Sequence, residues 1–248
     1  MFEHDVVIIP AYNPEESLIT YIEELKKTDL QHIIVVDDGS LEKTQPIFQK
    51  IKTLGVTLLI HPVNQGKGRA LKTALQFIQK EHPELTRAVT ADADGQHATE
   101  DVLNMLTRIR EEKLQGIILG KRDFDADNVP KKNAFGNKLT SHVFKAMFGE
   151  LIIDTQTGLR GFKTAEIPWL LALKGERFEY EMNMLMYAVQ KKISIHEIPI
   201  QTLYFGEKPA SHYKPFQDSY RIAKQLIIGF VLRGNLVEER ELPMSGGL

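Results

Sequence analysis

Cysteine is absent from all 248 residues. That absence excludes a disulfide framework, a thiolate metal site and a cysteine nucleophile together. An excess of one charge is also missing. Thirty-one Lys and Arg face 33 Asp and Glu, for a formal net charge of −2, so nothing in the overall balance draws the chain to nucleic acid. Long hydrophobic runs are lacking as well. After the charged opening Met1–Asp5, only Val6-Val7-Ile8-Ile9 precedes Pro10, too short for a signal-peptide core. The late stretch Leu226–Leu232 falls far below the roughly 20 residues that a membrane-spanning helix needs. The expectation is a cytoplasmic chain that does not cross a membrane but can rest on its inner face.

What is present is globular. Hydrophobic residues make up 42 % and charged residues 26 %, far from the composition of disorder. Short apolar runs predict strands at Asp5–Ile9, His32–Asp37, Val56–His61, Ala88–Ala91 and Gly116–Gly120. Helical patterns lie between them at Glu15–Lys27, Thr44–Leu54, Lys67–Glu81 and Glu100–Glu111. The runs are continuously apolar, as in strands buried on both faces. Strand–helix alternation with short loops then predicts an α/β fold, a mostly parallel, doubly wound sheet flanked by helices. Further on, helices are expected at Ala134–Phe148, Thr164–Leu173, Tyr180–Gln190 and Pro215–Arg233, with strands near Ile193–Ile198 and Gln201–Tyr204. No Gly/Ser-rich linker interrupts the chain, which reads as one domain over residues 1–241 with a C-terminal helical and strand extension and a frayed tail, 242–248.

In open α/β sheets, ligands bind outside the carboxyl ends of the strands. The polar residues gather there: Pro10-Ala11-Tyr12-Asn13, Asp37-Asp38-Gly39-Ser40, Asp92-Ala93-Asp94-Gly95-Gln96-His97 and Lys121-Arg122-Asp123. Any one of these segments could be turn chemistry alone; four on one edge point to a site. Asp92 and Asp94 are spaced to offer two carboxylates to one ion, and Gln96 can add an oxygen. An oxygen-only donor set suits Mg²⁺ or Mn²⁺ bridging to substrate phosphates; an N-cap for the next helix is the competing use. Dinucleotide and P-loop fingerprints both fail. The first strand is followed by no glycine, and in Asn64-Gln65-Gly66-Lys67-Gly68 a glycine stands where a P-loop needs Ser or Thr. Gly66, Lys67 and Gly68 can still bring backbone donors and a cation to a helix N-terminus.

Taken in order, Pro10-Ala11-Tyr12-Asn13, Val35-Val36-Asp37-Asp38-Gly39-Ser40, Asn64–Gly68, Asp92–His97 and Asp154-Thr155-Gln156-Thr157-Gly158-Leu159-Arg160 resemble the family 2 inverting glycosyltransferases of the GT-A fold. Within them the chain is most similar to the dolichyl- and polyprenyl-phosphate sugar synthases. The resemblance implies a nucleotide-sugar-binding half over residues 1–120 and an acceptor-side half over 121–241. It implies that Pro10, Ala11, Tyr12, Asn13, Glu15, Asp38, Lys67 and Asp92 hold the nucleotide, with Asp38 accepting a base imide N–H. Asp92, Asp94 and Gln96 would bind the divalent cation, and Arg122 and Arg160 would contact phosphates. Pro14 displaces the family's acidic residue to Glu15, and the late loop reads Ser211-His212 where these synthases carry Ser-Lys. A histidine near the diphosphate would make activity titrate near neutral pH, whereas a solvated His212 would not.

The acceptor stays open. A hydroxyl acceptor, on a glycolipid or cell-envelope polysaccharide, needs a carboxylate base. Asp154 is first by motif and a structural partner of Arg160 otherwise; Glu179 and Glu181 follow. A phosphate acceptor is already an anion and needs only cations such as Lys132, Lys138 and Arg160. Residues 129–149 hold four lysines and no acid, interleaved with Phe135, Leu139, Val143, Phe144, Met147 and Phe148. That is either a basic amphipathic helix for an anionic membrane surface or a core helix with a solvated lysine face. The expected activity is transfer of a hexose, UDP-linked, to a polyprenyl phosphate. A hydroxyl-acceptor enzyme is the rival, with a nucleotidyltransferase or a non-catalytic nucleotide-binding protein behind it.

Overall fold

The computed structural model of the chain describes residues 2–110, 115–124, 131–201 and 236–238. Seven strands form one sheet: β1 (Asp5–Ala11), β2 (His32–Asp37), β3 (Thr57–Ile60), β4 (Arg87–Thr90), β5 (Ile117–Arg122), β6 (Arg160–Lys163) and β7 (Ile195–Ile200), in the order β3-β2-β1-β4-β6-β5-β7. Helices α1 (Ser17–Lys26), α2 (Gln45–Thr53), α3 (Lys67–Glu81), α4 (Thr99–Arg110), α5 (Lys131–Phe148), α6 (Ile167–Ala172) and α7 (Glu179–Gln190) flank it.

The continuous apolar strands divide their side chains between two layers. Val6, Ile8, Ile34 and Val36 join Leu71, Leu75, Phe144, Leu170 and Leu185 on one face. Val7, Ile9, Ile33 and Val35 join Leu18, Ile22, Phe48, Val102 and Leu106 on the other. Successive residues of a strand point to opposite faces, so a run such as Val-Val-Ile-Ile feeds both layers at once.

The doubly wound parallel reading holds for β1, β2, β3 and β4, and for β5 with β7. One strand departs from it. Strand β6 was not expected, and it inserts antiparallel between β4 and β5, pairing Thr90 with Arg160 and Leu119 with Arg160. Four residues, Arg-Gly-Phe-Lys, carry no β-branched run, so pairing on both edges and burial of Phe162 make this strand, not local propensity. Its reversed direction brings the segment 154–159 to the carboxyl edge of the parallel strands. The expected strand Gln201–Tyr204, the helix Pro215–Arg233 and the tail 242–248 lie outside the described residues. Because Phe162 is fully buried in the layer that holds Phe144 and Leu185, Phe162→Ala is expected to cost about 3–5 kcal/mol of unfolding free energy in a denaturant titration.

Candidate functional site

At the carboxyl edge, β4 hands the chain to Asp92 and Asp94. Asp92 is a third exposed, and its Oδ1 lies 2.7 Å from the Lys67 ammonium, while Oδ2 faces His97 Nε2 at 3.4 Å. Lys67 opens α3 and reaches on to Glu181 Oε2 of α7 at 2.9 Å. Burial pushes the Asp92 carboxyl up, and Lys67 with His97 outweigh it, so the group is held well below the usual carboxylate range. Burial likewise pulls Lys67 down, and Asp92 with Glu181 outweigh that, leaving a firmly charged ammonium. Asp94 differs. Burial and the neighbouring Asp92 raise its carboxyl, and its Oδ1 accepts from the Gln96 N–H at 3.0 Å.

One lysine thus pairs directly with Asp92 and Glu181, while Asp94 beside them accepts from a backbone N–H. Two carboxylates and an amide oxygen, with phosphate oxygens still to come from a substrate, fit the way Mg²⁺ or Mn²⁺ is ordinarily held. Among the described residues no three His, Asp or Glu side chains form a complete protein cage.

Gly158 makes the Asp92 position possible. A Cβ there would fall 2.2 Å from Asp92 Oδ2. The Gly158 carbonyl is fixed by the Thr90 hydroxyl at 2.8 Å, so the two chains are held at this approach. Gly66 plays the matching part at the start of α3. Its φ is +106°, and a Cβ would meet the Glu176 carbonyl at 2.4 Å. The expected phosphate cradle at Gly66–Gly68 is thus partly occupied: the Arg69 N–H already donates to the Glu176 carbonyl at 2.9 Å, and Lys72 and Arg69 both pair with the Glu176 carboxylate.

Asp38 has a different setting from the one expected of a base reader. Its Oδ1 accepts from His61 Nδ1 (2.7 Å) and the Gln65 N–H (2.9 Å), and its Oδ2 from Asn64 Nδ2 (2.9 Å) and the Gly66 N–H (2.7 Å). Those four bonds fill the acceptor capacity of a carboxylate. Asp38 anchors the loop that delivers Lys67. Tyr12 stands half exposed at the end of β1. Asn13, at a left-handed φ of 49°, accepts from the Leu41 N–H and donates its own N–H to Ser40 Oγ, locking the first two strand ends together. Pro10 and Ala11 end β1, and Glu15 is exposed one turn before α1.

The arginines also depart from expectation. Arg122 grips Asp154 through Nε at 2.7 Å and Nη2 at 2.9 Å, and Asp154 is fully buried. The partner of Asp154 is therefore Arg122, not Arg160. Arg160 is itself buried, donating to the carbonyls of Thr157, Glu181 and Thr155. It braces the loop from within. Glu179 accepts from the Glu176 and Arg177 N–H groups at the start of α7. Lys138 is exposed on α5. Lys132 falls on the first turn of α5, and its side chain, like Ser211 and His212, lies outside the described residues.

Sequence reasoning gave no role of their own to His61, Asn64, Glu197 and Arg177. Glu197 on β7 accepts from the Ile153 and Asp154 N–H groups at 2.9 and 3.0 Å, and Arg177 donates to Asn64 Oδ1 at 3.1 Å. All four act through partners far away in the chain; only the position of His61 and Asn64 at a strand end could have flagged them. Since Gly158 sets where the Asp92 carboxylate can sit, Gly158→Ala is expected to weaken Mn²⁺ binding about tenfold or more by electron paramagnetic resonance titration, in the range seen when a ligand's supporting partner is lost.

Comparison with known proteins places this geometry. Residues 6–165 match the model of glycosyl transferase family 2. An uncharacterized protein of Methanocaldococcus jannaschii is 32% identical over 202 residues, spanning 80% of this chain and 81% of that protein. The UDP-N-acetylglucosamine–dolichyl-phosphate N-acetylglucosaminyltransferase of Methanococcus voltae is 29% identical over 215 residues, 80% of this chain and 85% of that one. Among solved structures, glucosyl-3-phosphoglycerate synthase from Mycobacterium tuberculosis, in complex with Mn²⁺, UDP and phosphoglyceric acid, superposes with a TM-score of 0.68 at 17% identity, covering 95% of this chain and 80% of that one. That likeness is one of fold, the GT-A arrangement. With its family model matched over more than half its length, the chain belongs to glycosyl transferase family 2 and is a glycosyltransferase.

Proposed function

We propose that the chain moves a hexose from a UDP-linked sugar to a polyprenyl phosphate at the cytoplasmic face of a membrane. The observation that carries the acceptor is the state of the carboxylates. A hydroxyl acceptor needs a base, and the three candidates are all engaged: Asp154 by Arg122, Glu179 by two backbone N–H groups, Glu181 by Lys67. A phosphate monoester arrives ionised and needs none. The Methanococcus voltae relative, named for a UDP-sugar donor and a dolichyl-phosphate acceptor, supports the same pairing.

In this reading Tyr12 offers its exposed ring to the nucleobase, with Pro10, Ala11 and Asn13 shaping that end and Asp38 holding the loop beneath it. Asp94, Asp92 and Gln96 would hold Mn²⁺ or Mg²⁺, which when bound neutralises charge on the departing diphosphate. Lys67 keeps Asp92 ionised and oriented. The acceptor phosphate approaches the sugar from the face opposite the diphosphate, held by Lys132 and Lys138 on the acceptor side, with Ser211 and His212 as further contacts. Its oxygen attacks the anomeric carbon as the bond to the diphosphate breaks, so the nucleoside diphosphate leaves and the configuration inverts. Charge is conserved without a proton changing hands.

The test is transfer from a panel of nucleotide sugars to polyprenyl phosphate and, in parallel, to the free polyprenol, with Mn²⁺ or Mg²⁺. The phosphate is expected to be glycosylated and the alcohol not, with Asp94→Ala lowering turnover about 10²–10³-fold. Asp154→Asn is expected to lower stability, since it breaks a buried ion pair, while the folded enzyme keeps the wild-type pH–rate profile. Glycosylation of the alcohol, abolished by Asp154→Asn, would overturn the reading.

A further inference from the structure

Among the described residues two tyrosines are buried, Tyr21 on α1 and Tyr180 on α7. A buried phenol ordinarily finds a hydrogen-bond partner, and Tyr180 does so: its hydroxyl donates to the Leu170 carbonyl at 3.0 Å. The Tyr21 hydroxyl is just as enclosed and has no partner among the described residues. Its ring belongs to the apolar stripe of α1, with Leu18, Ile22 and Leu25. Phenylalanine would fill that stripe equally well and would spare the desolvation of an orphaned O–H. The hydroxyl, not the ring, is therefore the feature that calls for a use.

What surrounds that hydroxyl is negative charge. Burial, then the charges of Asp92, Asp94, Glu24 and Asp101, raise the phenol, so it keeps its proton and stays a donor. Two of these four carboxylates have other company. Glu24 is exposed one turn further along α1, and Asp101 on α4 accepts from the Gln201 N–H at 2.8 Å. Asp92 and Asp94 are the pair assigned to the divalent cation. Carboxylates that hold a metal are in turn hydrogen-bonded by donors behind them, which fix their orientation. Lys67 and His97 lie against Asp92, and Asp94 accepts from the Gln96 N–H of its own loop. Tyr21 is a donor that a separate element, α1, brings toward the same pair.

We infer that Tyr21 is a positioning residue of the cation site: its hydroxyl donates to the Asp92–Asp94 pair when Mn²⁺ or Mg²⁺ is held there and fixes how those carboxylates face the ion. The inference rests on the cation reading given above and names the residue behind the ligands. Without the ion the buried hydroxyl is a cost to the fold, and with the ion it becomes a bond. Its contribution therefore appears in metal affinity and not in the stability of the metal-free chain.

The test sets Tyr21→Phe beside wild type and Tyr180→Phe. Mn²⁺ binding is titrated by electron paramagnetic resonance with and without UDP, and thermal unfolding is followed in EDTA. Tyr21→Phe is expected to weaken Mn²⁺ binding about tenfold or more, with a melting temperature in EDTA equal to or above that of wild type. Tyr180→Phe, which removes a bond the fold uses, is expected to lower the melting temperature and keep Mn²⁺ binding within about twofold. Mn²⁺ binding by Tyr21→Phe within about twofold of wild type, or a melting temperature in EDTA below wild type, would overturn the role of Tyr21 and leave the cation reading standing. A wild type that binds no Mn²⁺, with or without UDP, would overturn the cation reading and this inference together.

Discussion

A single buried ammonium ties this molecule together. Lys67 begins α3, and its charge is shared by Asp92 at the end of β4 and Glu181 on α7. None of the three groups is more than about a third exposed, and a charge so placed is tolerable only when paired. The three elements are therefore held in one geometry. A second strap runs parallel to it, with Glu176 accepting from Lys72 and Arg69. Gly66 and Gly158 leave room for both approaches. The carboxylate edge is a consequence of this lock: Asp92 is kept ionised, and its charge together with burial raises the Asp94 carboxyl beside it.

The edge at the end of β5 follows the same rule with different partners. Asp154, fully buried, is matched by the Arg122 fork, and Glu197 gathers the N–H groups on either side of the peptide leading into it. Arg160 spends its donors on carbonyls of its own loop and of α7. Charged residues that look free to do chemistry when read along the chain are thus consumed in fixing the edge of the sheet. The Tyr12 ring, by contrast, stands half exposed at the end of β1.

Much of the frame can be read directly from residue patterns. Runs such as Val6–Ile9 and Ile33–Val36 announce strands buried on both faces, and the polar residues after them mark the ligand edge. Strand β6 could not be read that way, because Arg-Gly-Phe-Lys becomes a strand only through neighbours on both sides. The same limit applies at the site. The Asp92–Asp94 spacing is local and legible, whereas the loop-anchoring work of Asp38, the Arg122–Asp154 grip and the Lys67–Glu181 bridge join residues whose nearness only the fold creates. Motif order identifies the family; it does not say which conserved-looking charge is structural.

The Lys67–Glu181 bridge is the claim on which the rest leans, and a double-mutant cycle on stability measures it most directly. Unfolding free energies of wild type, Lys67→Met, Glu181→Gln and the double variant are expected to give a coupling energy of about 2 kcal/mol, near the upper part of the range for contacting pairs. Additivity of the two single changes within about 0.5 kcal/mol would mean that the ammonium does not join α3 to α7, and the account of the site would fail with it.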